Sequence, residues 1–145
     1  MAPIFGSRNE KPPPLSGPVP LNWVRNKNGN FFKFATFNVK RAGLAGGGVF
    51  VIWHSGTKPD WVMVGASGNL AESIGALLDD AEVLEYDARG GLFVTWTLIR
   101  SEYHAGVLKF LRESMNPLID HDPPSSDKIE AIPVIPPGAK GETPV

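Results

Sequence analysis

The chain has 145 residues, 42% of them apolar and 20% charged, and a net charge of −1. That length supports one domain with a real core, and the near-zero charge gives no global pull toward nucleic acid or acidic lipid. Cysteine is absent, which excludes disulfides, thiol nucleophiles and thiolate zinc sites.

Proline organises the chain. Six of the 14 prolines fall between Pro3 and Pro20 and six between Pro123 and Pro144. Proline fixes φ and removes a backbone donor, so both ends are expected to be extended tails, residues 1–20 and 120–145. The start of the chain carries Arg8, Glu10 and Lys11 without an apolar signal segment, and the longest apolar run, Val49 to Trp53, is far too short to cross a bilayer. The expectation is a cytoplasmic protein without membrane insertion.

Residues 21–43 read as a hairpin arm. Leu21 to Asn26 and Phe31 to Val39 flank Asn28-Gly29, a turn pair that tolerates positive φ. The arm carries Arg25, Lys27, Lys33, Lys40 and Arg41 without an acid. Trp23, Phe31, Phe32, Phe34 and Phe37 interleave with these cations. Residues 44–119 are acidic by contrast, with nine acids and five bases. Here Gly43 to Gly48 is a glycine-rich link, Val49 to His54 a strand, and Trp61 to Gly65 a second strand. Asn69, with Glu72 three residues on, predicts a capped helix that sets Leu70, Ile74, Leu77 and Leu78 on one face. Val83 to Tyr86 and Leu92 to Ile99 read as strands around Arg89-Gly90-Gly91. Ser101 opens a second helix with a stripe of Val107, Leu108, Leu111 and Met115, and Pro117 follows its end.

Gly48-Val49-Phe50 on one strand, Met63-Val64-Gly65 on the next, a helix directly after, and a later helix leading to Asn116-Pro117-Leu118 together resemble the GIY-YIG nuclease superfamily. The resemblance covers about half the chain, from Gly48 to Leu118, and its motifs are short. It implies a small mixed or antiparallel sheet with two helices, so the expected class is α+β, with the N-terminal β-hairpin and the proline-rich tails added to it. That family uses two tyrosines, an arginine and a metal-binding glutamate for phosphodiester cleavage, where charge neutralisation and positioning do the chemistry. Matched position by position, these fall on Phe50, Met63, Ser73 and Leu108. A one-turn shift of the second helix would offer Glu102 or Glu113, still without an arginine. The resemblance therefore implies a fold without its reaction: no catalytic residue, no metal and no cofactor.

Other constellations are weaker. Asp120-His121-Asp122 in a proline-bounded segment reads as polar surface rather than a metal site. Ser101 and His104 lack a nucleophile elbow, and Gly46-Gly47-Gly48 lacks the lysine of a phosphate loop. Asp79, Asp80, Glu82, Glu85 and Asp87 read as a solvated edge. Trp53, Trp61 and Trp96 read as packing residues. The sequence thus predicts a non-catalytic binding or structural subunit of a larger protein assembly. Trp23, Arg25, Lys27, Phe32, Lys33, Phe34, Lys40 and Arg41 of the arm, with Pro133, Ile135 and Pro136 of the tail, would meet its protein partners. Nucleic acid held by the basic aromatic arm, with residual nuclease activity, is the alternative.

Overall fold

A computed structural model describes residues 19–54, 61–119 and 130–137. In chain order it contains β1 (Phe32–Lys33), a 3-10 turn (Phe34–Thr36), β2 (Gly48–His54), β3 (Trp61–Ser67), α1 (Leu70–Leu77), α2 (Ala81–Ala88), β4 (Leu92–Leu98) and α3 (Ser101–Met115). The four strands form one sheet in the order β1-β4-β2-β3, antiparallel throughout. This is an α+β fold with three helices, one more than the sequence reading expected.

Alternation along the strands sends side chains to two separate cores. Phe50 and Ile52 of β2 and Leu92, Val94 and Trp96 of β4 face α1 and α2, where Leu70, Ile74, Leu77 and Val83 cover them. Val49, Val51 and Trp53 face the opposite way, onto Val107, Leu111 and Met115 of α3. One irregularity breaks the alternation. Ile52 pairs with Met63 and Trp53 with Trp61, so Val62 is an extra residue in β3. This bulge lets Val62 and Met63 both enter the first core while Trp61 joins Trp53 in the second.

The expected hairpin is a turn without a ladder. Gly29 takes φ +83°, and Asn26 Oδ1 accepts from the amides of Asn28 and Asn30 at 2.9 and 3.0 Å. Beyond the bond from Asn26 N to Asn30 O at 2.8 Å, the two arms attach to β4 rather than to each other. Val24 N donates to Trp96 O at 2.9 Å, buried Thr95 donates its hydroxyl to Val24 O at 2.6 Å, and Phe32 and Lys33 pair with Val94 and Phe93. The edge of β4 offers each arm partners, and a buried threonine hydroxyl needs an acceptor.

The expected strand over Val83 to Tyr86 is the body of α2. Asp80 caps it, its carboxylate accepting from Glu82 N at 2.9 Å and Val83 N at 3.2 Å. Val83 is buried and Tyr86 half-buried, three residues apart, while Leu84 and Glu85 are exposed. A four-residue run with one polar member carries no period of its own, and the cap decides it.

Val19 and the segment around Val134 are tied together where the sequence predicts two extended tails. Val19 and Val134 form a parallel bridge: Val19 N donates to Pro133 O and Ile135 N to Val19 O, each at 2.9 Å. Trp23 is wholly buried, and its indole N–H donates to Ile135 O at 2.7 Å. Further along, Ile132 N donates to Gly106 O of α3 at 3.0 Å. The remaining tail residues, with Asp120, His121 and Asp122, lie outside the described residues.

Candidate functional site

The arm, the β2–β3 sheet end and the C-terminal segment enclose an open groove of about 1210 Å³. Arg25, Lys27, Lys33 and Arg41 line it, and among the described lining residues there is no carboxylate. Lys27, Lys33 and Arg41 are exposed. The turn at Asn26–Asn30 places Lys27, β1 places Lys33, and the turn after Asn38 places Arg41, whose amide donates to Asn38 Oδ1 at 2.9 Å. The guanidinium of Arg25 sits 4.2 Å from the centroid of the Phe31 ring, a cation–π contact that fixes its direction.

Aromatic rings form the wall. Trp53 is the hub, with Phe31 at 5.0 Å edge-on, Phe93 at 5.8 Å and Trp61 at 5.9 Å. Phe32 stacks on Trp96 at 5.4 Å and meets the edge of Phe37 at 5.3 Å. Pro136 and Pro137 supply the C-terminal border. His54 lies at the same end, its Nε2 2.8 Å from Tyr86 O. A carbonyl only accepts, so the ring donates there and is held in place.

Of the arm residues expected to meet a partner, Arg25, Lys27, Phe32, Lys33 and Arg41 line the groove, as does Pro136. Lys40 is exposed but does not line it. Trp23 and Phe34, at 0% and 1% exposure, are interior residues and present no surface to a partner. Large aromatics gain more by filling the two cores than by waiting in solvent. Ile135 is half-buried in the clasp and Pro133 is exposed beside it. The sequence reading missed Trp53, Trp61 and Phe93 as groove residues. Their strand periodicity marks them as packing residues, and only the bulge at Val62 reveals that Trp61 and Trp53 share an end of the sheet.

The four positions matched to catalytic residues do not converge. Phe50 and Met63 are buried in the first core with α1. Ser73 on α1 donates its hydroxyl to Ser67 Oγ at 2.6 Å. Leu108 packs on the other face of the sheet, in the α3 core. At α3, His104 Nε2 donates to Ile99 O at 2.7 Å. Among the described residues no three metal-ligating side chains cluster, and no helix is long and apolar enough to cross a membrane. Comparison with protein-family models, with curated proteins and with solved structures finds no match to this chain.

Proposed function

We propose that this chain is a non-catalytic binding subunit that engages a protein partner of a larger assembly through the cationic aromatic groove. The observation that carries the reading is the groove itself: four cations and an aromatic wall with no carboxylate among its described lining residues. Its volume of about 1210 Å³ exceeds the ~300–1,000 Å³ usual for small-molecule sites, which suits a segment of a macromolecule. The separation of Phe50 and Met63 from Leu108 by the sheet supports a role without catalysis, since a reaction centre needs its groups on one side. The test is a nuclease-treated pull-down from the native source in parallel with the Lys27→Glu, Lys33→Glu, Arg41→Glu variant. Stoichiometric protein retained by the parent and lost by the variant is the expected result. Identical retention by both would remove the groove from the reading.

The cations also favour a second reading, a single-stranded nucleic acid. If all four met phosphate, log affinity would fall with log salt at a slope of about −2.8, from roughly −0.7 per contact.

A further inference from the structure

We infer that the occupant of the groove is an extended acidic peptide segment of a partner protein; this rests on the reading of the groove as the binding site. Three features of the groove converge on it. The first is charge. Lys27, Lys33 and Arg41 are exposed, and no carboxylate is among the described residues that line the groove. Exposed cations on a groove with no carboxylate among its described lining residues attract a ligand that supplies them.

The second is the polar character of the rim. Asn26 spends its side-chain oxygen on Asn28 N and Asn30 N, and Asn38 spends its own on Arg41 N. These amides keep their NH2 donors for a ligand. With the lysines and arginines, which only donate, the rim is rich in donors, and Asn30 and Thr36 are the lining residues that add side-chain acceptor oxygens. Carboxylates, which only accept, match it. Base edges, which alternate donors and acceptors, match it less well, so a nucleic acid would meet this rim through its phosphates alone.

The third is the wall. Base-binding surfaces present separate rings whose faces stack successive bases. Here Arg25 covers a face of Phe31, Trp96 covers a face of Phe32, and Phe31, Phe93 and Trp61 converge on Trp53. The rings form two packed apolar patches, one around Trp53 and one around Phe32, on opposite faces of the sheet; packed rather than separate, they suit aliphatic and proline side chains between the acids. An extended chain also lies naturally beside β1, a two-residue strand whose sheet partner is β4 alone.

The experiment is fluorescence anisotropy of the full chain with three labelled probes. One is a peptide of about twelve residues, roughly 40 Å when extended, with glutamate alternating with valine and proline. The second replaces each glutamate by glutamine. The third is an oligothymidylate of the same net charge as the acidic peptide. The acidic peptide is expected to bind, the glutamine peptide to bind about tenfold or more weakly, and the oligothymidylate to bind more weakly than the acidic peptide. Lys33→Glu with Arg41→Glu should lower acidic-peptide affinity about tenfold or more, with thermal unfolding unchanged because both side chains are exposed. Lys27→Glu, at a separate loop, is the second variant should that pair fold poorly. Tighter binding of oligothymidylate, or equal binding of the two peptides, overturns the peptide assignment and leaves the groove as a binding site. Failure of both anionic probes, or binding indifferent to the charge reversals, overturns the groove reading with it.

Discussion

Phe50 and Gly65 face each other across β2 and β3, and their contact is unusually close. A Cβ on Gly65 would come 2.4 Å from the Phe50 ring, so the ring occupies the space a side chain would take. An aromatic ring lying over a cross-strand glycine compensates for the packing that glycine lacks. Gly65→Ala is therefore expected to cost about 1–3 kcal/mol by displacing the ring from a filled core. In a Phe50→Leu background the same alanine should cost much less, because the smaller side chain leaves room. A double-mutant cycle by urea unfolding reads the coupling, and additive costs would refute the contact as the reason for the glycine. Gly106 is a second close approach. A Cβ there would meet Ile132 at 2.7 Å and Glu130 O at 2.8 Å. Alanine is worth up to about 1 kcal/mol over glycine in a helix interior, yet here it would push residues 130–132 off α3. Gly106→Ala is expected to increase hydrogen exchange at the Ile132 amide, whose acceptor is Gly106 O. Both glycines are visible in the sequence, but what lies over them is not, since the partners are 15 and 26 residues away by chain position.

Among the elements, α1 was the most legible and α2 the least. Asn69 accepts from Glu72 N at 3.2 Å, and Leu70, Ile74 and Leu77 are buried as their spacing predicts. The reciprocal half of the capping box is absent: Asn69 N donates to Ser67 Oγ at 2.9 Å instead. For α2 the decisive residue was Asp80, read from the sequence as one of five solvated acids. It is a cap, and Glu82 in the first turn complements the helix dipole. Asp80→Ala should cost about 1 kcal/mol, read as a lower urea midpoint at unchanged slope. Asp79→Ala, exposed and outside the cap, should change stability by no more than about 0.5 kcal/mol. Equal effects at the two positions would mean that the cap does not hold α2. The strands β2 and β4 were legible from β-branched and aromatic runs; β1 lies inside the Phe31 to Val39 arm expected to be a strand, but its extent and its partner were not legible. Two residues carry no periodicity, and their pairing is chosen by the free edge of β4.

At the scale of the molecule, the clasp that joins Val19 and Trp23 to residues 130–137 changes how a truncation must be understood. Residues 130–137 cover α3 and Trp23, and Val134 is 1% exposed. The sequence offers proline as a sign of extended chain, and the segment forms an isolated β-bridge at Val134. It offers no sign of the destination, because the indole of Trp23 and Ile135 O meet across 112 residues. Removing residues 130–145 withdraws Val134 from the core, worth about 1.5–3 kcal/mol. It also strands a buried indole N–H, worth about 1–3 kcal/mol more. The sum, roughly 2.5–6 kcal/mol, corresponds to a fall in Tm of about 5–24 °C for a chain of this size. Trp23→Phe isolates the hydrogen bond: Ile135 O loses its donor while most of the ring packing remains, so a cost of about 1–3 kcal/mol is expected. Because Pro136 and Pro137 border the groove, the truncated chain should also lose affinity for a groove ligand. Partner loss on truncation then has two sources, a damaged fold and a missing wall. Thermal unfolding of the truncated chain separates them. A Tm close to that of the full chain would show that the clasp contributes little and that residues 130–145 act by contact alone. The expected fall would mean that these residues first hold the body together, and that the groove inherits its C-terminal border from that role.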